Sequence, residues 1–161
     1  DVLGQYNSVT EQVYGADRAT GKSWGTIDTH ATNIAGTPAA RTGIGTNSTW
    51  AYEYLTPYAD HDKTATQRYT KNQYENDVAR SLSYRFELPD GDYIIEVYFA
   101  DPWNCSKNPT VAANGTAVLQ NCETGKALQS APVRVTGGSL TLEFTTSDKC
   151  INLAYIRILF A

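Results

Sequence analysis

From Tyr93 to Ala100 the chain reads Tyr-Ile-Ile-Glu-Val-Tyr-Phe-Ala, and few folds accept such a run. Tyr93, Ile95, Val97 and Phe99 fall on one side of an extended strand and Ile94, Glu96, Tyr98 and Ala100 on the other, the period of two expected of a strand with one face fully buried. Just before it, Leu82, Tyr84, Phe86 and Leu88 alternate in the same way with Ser83, Arg85 and Glu87. Between the two runs Pro89, Asp90 and Gly91 supply turn chemistry, since proline presets φ and glycine accepts positive φ. A hairpin is the expected result. Pro102 ends the strand over 92–100 and sets Trp103 on a loop at a strand end, where ligand-contacting residues tend to gather.

The remainder repeats the pattern. Pro109 to Ala113 and Thr116 to Gln120 flank Asn114-Gly115, the strongest short-range hairpin signal because both residues tolerate the positive φ of a type I′ turn. Val133 and Val135, then Leu140, Leu142 and Phe144 across Gly137-Gly138, read as a third hairpin, and a last strand runs from Ile151 to Phe160. Helical recurrence at i, i+3 and i+4 is missing from every window longer than about ten residues. Short strands, frequent turns and no crossover helices predict an all-β fold, an antiparallel β-sandwich of the jelly-roll kind.

A chain of 161 residues, 41% hydrophobic, suits one domain with a proper core. Its net charge is −4, and its 13 Lys and Arg are scattered without a basic stripe, which argues against nucleic acid or an anionic membrane as partner. No stretch approaches about 20 consecutive apolar residues, so no membrane span is expected, nor is there a charged-then-apolar leader. The start at Asp1 and the lack of methionine suggest a module excised from a longer polypeptide. Eleven tyrosines and three tryptophans against four phenylalanines favour rings with a polar handle, suited to half-wet surfaces. Residues 29–80 hold Trp50, Tyr52, Tyr54, Tyr58, Tyr69 and Tyr74 among Thr, Asn, Asp and Gly, and are expected to form an ordered loop over the sandwich rim.

Five segments in order resemble the malectin-like carbohydrate-binding modules of the galactose-binding-like jelly-roll group. They are Asp17-Arg18-Ala19-Thr20-Gly21-Lys22; Tyr84 through Tyr93, with its Leu-Pro-Asp-Gly-Asp-Tyr ending; Tyr98-Phe99-Ala100-Asp101; Val111-Ala112-Ala113-Asn114-Gly115; and Ile151-Asn152-Leu153-Ala154-Tyr155-Ile156. The resemblance implies a carbohydrate ligand. Its sugar-facing aromatics after the Phe-Ala-acid strand end map onto Trp103, with Asn104 beside it and Asp101 just before, and its aspartate before the final strand maps onto Asp148. The aromatic after the early turn has no direct counterpart near Thr29 or His30; Trp24 is the nearest ring. The arginine-tyrosine segment corresponds either to Gln67-Arg68-Tyr69 or to the stretch from Tyr74 to Arg80. Bacterial modules of this kind are commonly appended to secreted glycoside hydrolases, which implies an extracellular monomeric module with an attached catalytic domain as partner.

A sugar ring offers apolar C–H faces and a fringe of hydroxyls, so a site for it needs an aromatic plate and planar acceptors and donors. Trp103, Asn104 and Asp148 supply that set. Catalytic chemistry is poorly supplied: the histidines are His30 and His61, and there is no Gly-x-Ser-x-Gly elbow, phosphate loop or His-Glu-x-x-His. The chain is therefore read as non-enzymatic. The alternative function is a structural sandwich that spaces the domains of a secreted enzyme, with Trp103 at an interdomain contact. Asp60-His61-Asp62 reads as a solvated charge cluster, because no second cluster completes a metal site. No cofactor is called for, although single structural calcium ions occur in related jelly rolls.

Cys105, Cys122 and Cys150 leave two pairings open. Counting outward from Asn114-Gly115, residue 107 faces Cys122, which brings Cys105 within reach of it. If the strands over 92–100 and 151–160 are antiparallel neighbours, Cys105 also lies near Cys150. A disulfide of either kind would anchor the Trp103 loop and fit an oxidising compartment.

Overall fold

The computed structural model describes residues 14–16, 21–27, 44–47, 67–70, 81–101, 108–147 and 150–161, with 44–47 and 67–70 described by their backbone. All regular structure among them is strand: β1 (Gly15–Ala16), β2 (Ser23–Thr26), β3 (Ile44–Asn47), β4 (Gln67–Thr70), β5 (Ser81–Glu87), β6 (Gly91–Phe99), β7 (Thr110–Ala113), β8 (Thr116–Leu119), β9 (Ala127–Gln129), β10 (Val133–Val135), β11 (Ser139–Thr145) and β12 (Asn152–Phe160). One sheet runs in the order β1-β2-β5-β11-β7-β8, the other β10-β6-β12-β4-β3, with β9 pairing β6 beside β10. Every pairing is antiparallel. The expected antiparallel sandwich is the observed fold.

Alternation along the strands builds the core. Leu82, Tyr84 and Phe86 of β5, Leu140, Leu142 and Phe144 of β11 and Val111 of β7 face inward from the first sheet, while Tyr93, Ile95, Val97 and Phe99 of β6 and Ile158 of β12 meet them from the second. Phe144 joins the layers: its ring stands edge-on to Tyr84 at 6.0 Å and to Phe99 of the facing sheet at 6.1 Å. The Asn114-Gly115 turn forms as predicted, with φ of 48° and 82°. Asn114 then fastens the turn to β11: its backbone N–H donates to the Thr141 carbonyl and its Oδ1 accepts from the Thr141 N–H, both at 2.8 Å.

The other two expected hairpins are not hairpins. β5 pairs with β2 and β11, whereas β6 pairs with β9, β10 and β12, so residues 88–90 cross from one sheet to the other. Residues 136–138 cross in the same way between β10 and β11. The two crossings brace each other, the Leu88 N–H donating to the Gly138 carbonyl (3.0 Å) and the Gly138 N–H to Asp90 Oδ1 (2.8 Å). Gly137 and Gly138 both take positive φ, 78° and 76°, which a side chain would oppose. Turn chemistry marks a reversal of the chain; it does not say whether the strands on either side share a sheet.

Three further expectations change. The stretch over 29–80 is not loop throughout, since β3 and β4 within it extend the second sheet beyond β12; Trp50, Tyr52, Tyr54, Tyr58, His61 and the acids around it lie outside the described residues. The second half of β6 is buried on both faces, because Gln129, Tyr155 and Arg157 close over Glu96 and Tyr155 stacks on Tyr98 on the side away from the core. An extra residue in β8 shifts the register between Val111–Leu119 and Ala112–Ala117, so Cys122 arrives against Pro109, its N–H donating to that carbonyl at 3.0 Å, rather than opposite residue 107.

Candidate functional site

β6 ends and β12 begins side by side. Leu153 lies opposite Phe99, and the Ala100 N–H donates to the Asn152 carbonyl at 2.9 Å. The antiparallel pairing expected for these strands is therefore present, and it brings Asp101 and Cys150 to the same end of the sheet. On the far side of β12, Tyr69 of β4 pairs with Asn152 and Gly45 of β3 with Tyr69. On the near side, the Gly125 N–H donates to the Phe99 carbonyl at 2.8 Å. One end of the second sheet is thus a row: the 123–126 segment, the end of β6, the start of β12, then β4.

Asp101 and Asn152 bridge the middle of this row. The Asn152 Nδ2 donates to Asp101 Oδ1 at 3.3 Å and contacts Cys150 Sγ at 3.5 Å; Asn152 is fully buried, so the bond holds the carboxylate at the strand end. Of the residues singled out in the sequence, Asp101 and Tyr69 belong to this row. Trp103, Asn104, Asp148 and Tyr74 lie outside the described residues. Trp24 is elsewhere: on β2 opposite Phe86, 7% exposed and stacked on that ring at 6.2 Å. Its ring is committed to the core, toward the end of the sandwich that carries Pro89, and offers no free face for stacking.

The cysteines separate cleanly. Cys150 is disulfide-bonded and Cys122 is a free buried thiol, so the bridge closing the β7–β8 hairpin is not made. Burial pushes the Cys122 thiol up to about 11, which leaves almost no thiolate at neutral pH. Native protein is expected to resist alkylation at pH 7 and to titrate one thiol per chain once denatured without reductant; three thiols would contradict the bonded Cys150.

A second polar cluster, not foreseen from the sequence, occupies the outer face of the same sheet. Glu96 Oε2 accepts from Gln129 Nε2 (2.7 Å), and its Oε1 accepts from the Tyr155 hydroxyl and Arg157 Nη1, each at 3.2 Å. Tyr155 stacks on Tyr98 at 5.6 Å. Burial by itself would raise the Glu96 carboxyl, but the Gln129 hydrogen bond, the Arg157 charge and the Tyr155 and Arg157 hydrogen bonds outweigh it and hold the group below the usual glutamate range. With both oxygens occupied, Glu96 ties β9, β6 and β12 together; it is not an open acceptor for a ligand. Alternation along β6 identified its face, but only the fold shows that face to be covered. Among the described residues no group of three or more His, Cys, Asp or Glu could hold a metal ion, and no helix is long and apolar enough to cross a membrane.

No protein-family model matches the chain, and no curated protein does. Solved structures do. The YxiM protein of Bacillus subtilis aligns over 92% of this chain and 34% of its own, at 18% identity and a TM-score of 0.55. The β-glucuronidase 2 of Bacteroides uniformis aligns over 96% of this chain and 17% of its own, at 22% identity and a TM-score of 0.51. The fold is shared with both. At these identities the likeness concerns the fold alone, and the chain spans 34% and 17% of the lengths of these two neighbours. The neighbours also include a family 35 carbohydrate-binding module from an environmental isolate, aligned over 92% of this chain and 82% of its own at 14% identity and a TM-score of 0.40. The antiparallel β-sandwich inferred from the strand pattern is the architecture observed.

Proposed function

We propose that this chain is a non-catalytic carbohydrate-binding module whose ligand lies across the rim at the ends of β6, β12 and β4. The observation that carries this reading is the antiparallel pairing of β6 with β12, which makes the chain leave Asp101 beside the point where it enters Cys150. Trp103 and Asn104 follow the first position in the sequence and Asp148 precedes the second, and the proposal assigns the stacking ring, planar amide and carboxylate of the site to these three residues. These are the groups that a sugar's C–H face and hydroxyls need. In this proposal the module acts outside the cell and directs an attached glycoside hydrolase to its substrate. The much longer chains of its neighbours, a β-glucuronidase among them, support that arrangement.

Titration calorimetry and a glycan array test the proposal, and an array without a single positive oligosaccharide contradicts it. Trp103→Ala is expected to weaken binding about tenfold or more with the fold intact, since one stacked ring contributes about 1 kcal/mol beyond its apolar burial. Unfolding of that variant, or unchanged binding, would make Trp103 a core lid. Asp148→Ala is expected to cost roughly the 1.5–3 kcal/mol of a charge-assisted hydrogen bond, with Asp148→Asn intermediate and Asp62→Ala without effect.

A further inference from the structure

The row of strand ends does not stop at Asp101. The Gly125 N–H bond to the Phe99 carbonyl (2.8 Å) holds the 123–126 segment against the end of β6 on the side away from β12. That segment is fixed at both ends: β9 continues from it along β6, with Ala127 opposite Tyr98, and before it the buried Cys122 bonds Pro109. Gly125 adopts φ of 78°, which turns the chain sharply there. On this anchored turn Lys126 Nζ and Glu123 Oε2 lie 2.6 Å apart, with side chains 52% and 72% exposed. An exposed pair at this spacing adds little to stability. It does present a charged donor next to a charged acceptor, the arrangement that two adjacent sugar hydroxyls can satisfy together.

Resting on the carbohydrate reading above, we infer that Glu123 and Lys126 form the outer wall of the binding rim and that the ligand is an oligosaccharide engaged by more than one sugar unit. Neighbouring strands lie about 4.8 Å apart, so the three steps from Gly125 through β6 and β12 to β4 span about 14 Å. A single sugar ring cannot reach both ends of such a row. An oligosaccharide can bond Asp101 near its middle and the Lys126–Glu123 pair at one end.

Calorimetry with galactose, glucose and xylose, each beside its β-1,4-linked di- and trisaccharide, tests the inference. The trisaccharide of the recognised sugar is expected to bind about tenfold tighter than the monosaccharide. A Lys126→Ala/Glu123→Gln double variant is expected to lower the trisaccharide-to-monosaccharide affinity ratio about fivefold or more, as loss of charge-assisted hydrogen bonds requires. Arg134→Ala, which removes the exposed Asp92 pair at the opposite end of the sandwich, serves as the unaffected control. Equal affinity for mono- and trisaccharide, or an unchanged ratio in the double variant, overturns the extended site and leaves the Trp103 rim standing. Absence of binding to every saccharide in the series overturns both.

Discussion

Replacing Phe144 by alanine is expected to lower the unfolding free energy by about 3–5 kcal/mol, the range for removing a large buried aromatic. The ring has no exposed surface and is held edge-on between Tyr84 of its own sheet and Phe99 of the other. The cavity left behind would face strands from both layers, so neither sheet alone could close over it. Urea unfolding followed by tryptophan fluorescence reads the effect as a lower midpoint at constant m-value, since the surface exposed on unfolding scarcely changes. A shift below about 1 kcal/mol would mean that Phe144 does not hold the layers together.

The second large effect is expected at Glu96. Glu96→Ala leaves the donors of Gln129, Tyr155 and Arg157 without the carboxylate that collects them. Breaking a fully buried ion pair costs about 3–5 kcal/mol, but the Arg157 side chain is 37% exposed and can return to water, so about 2–3 kcal/mol is expected. The pH dependence has a definite sign. Because the carboxyl is held below its ordinary value when folded, the unfolded chain binds more protons between the two values. The stability contributed by Glu96 is complete above the unfolded value and is lost as pH falls through the folded one. Glu96→Gln should therefore flatten stability on the acid side of the ordinary glutamate range, and an acid limb identical to wild type would contradict the linkage.

Both sites show how far the residues alone carry the reading. Alternation along 82–88 and 91–99 identified the core face of β5 and β6 correctly, because a period of two follows from strand geometry whatever the strands pair with. It could not identify pairing partners. Pro89-Asp90-Gly91 and Gly137-Gly138 reverse the chain as a hairpin does, yet each joins strands of different sheets, and the bonds between the two crossings connect residues far apart in sequence. Of the two cysteine pairings left open, the one closing the β7–β8 hairpin is not made, and the register counted for it is shifted by one added residue in β8. Trp24 entered as the ring nearest the resembled family's aromatic position, whereas its four-residue strand brings it onto Phe86 in the core. At the rim, the shared end of β6 and β12 was legible from the antiparallel order. The place of the 123–126 segment beside it was not, because it depends on β9 returning along β6.

The most direct test is an amide-shift titration of isotopically labelled protein with the oligosaccharide that binds most tightly. The account predicts perturbations concentrated at Tyr69, Asp101, Gly125, Lys126 and Asn152, at one end of the second sheet. Asp90, Gly138 and Ala161, at the other end, should stay unchanged; the Ala161 N–H bonds Asp92 there. Perturbations clustered around Asp90 and Gly138, or none at saturating oligosaccharide, would contradict the carbohydrate-binding rim.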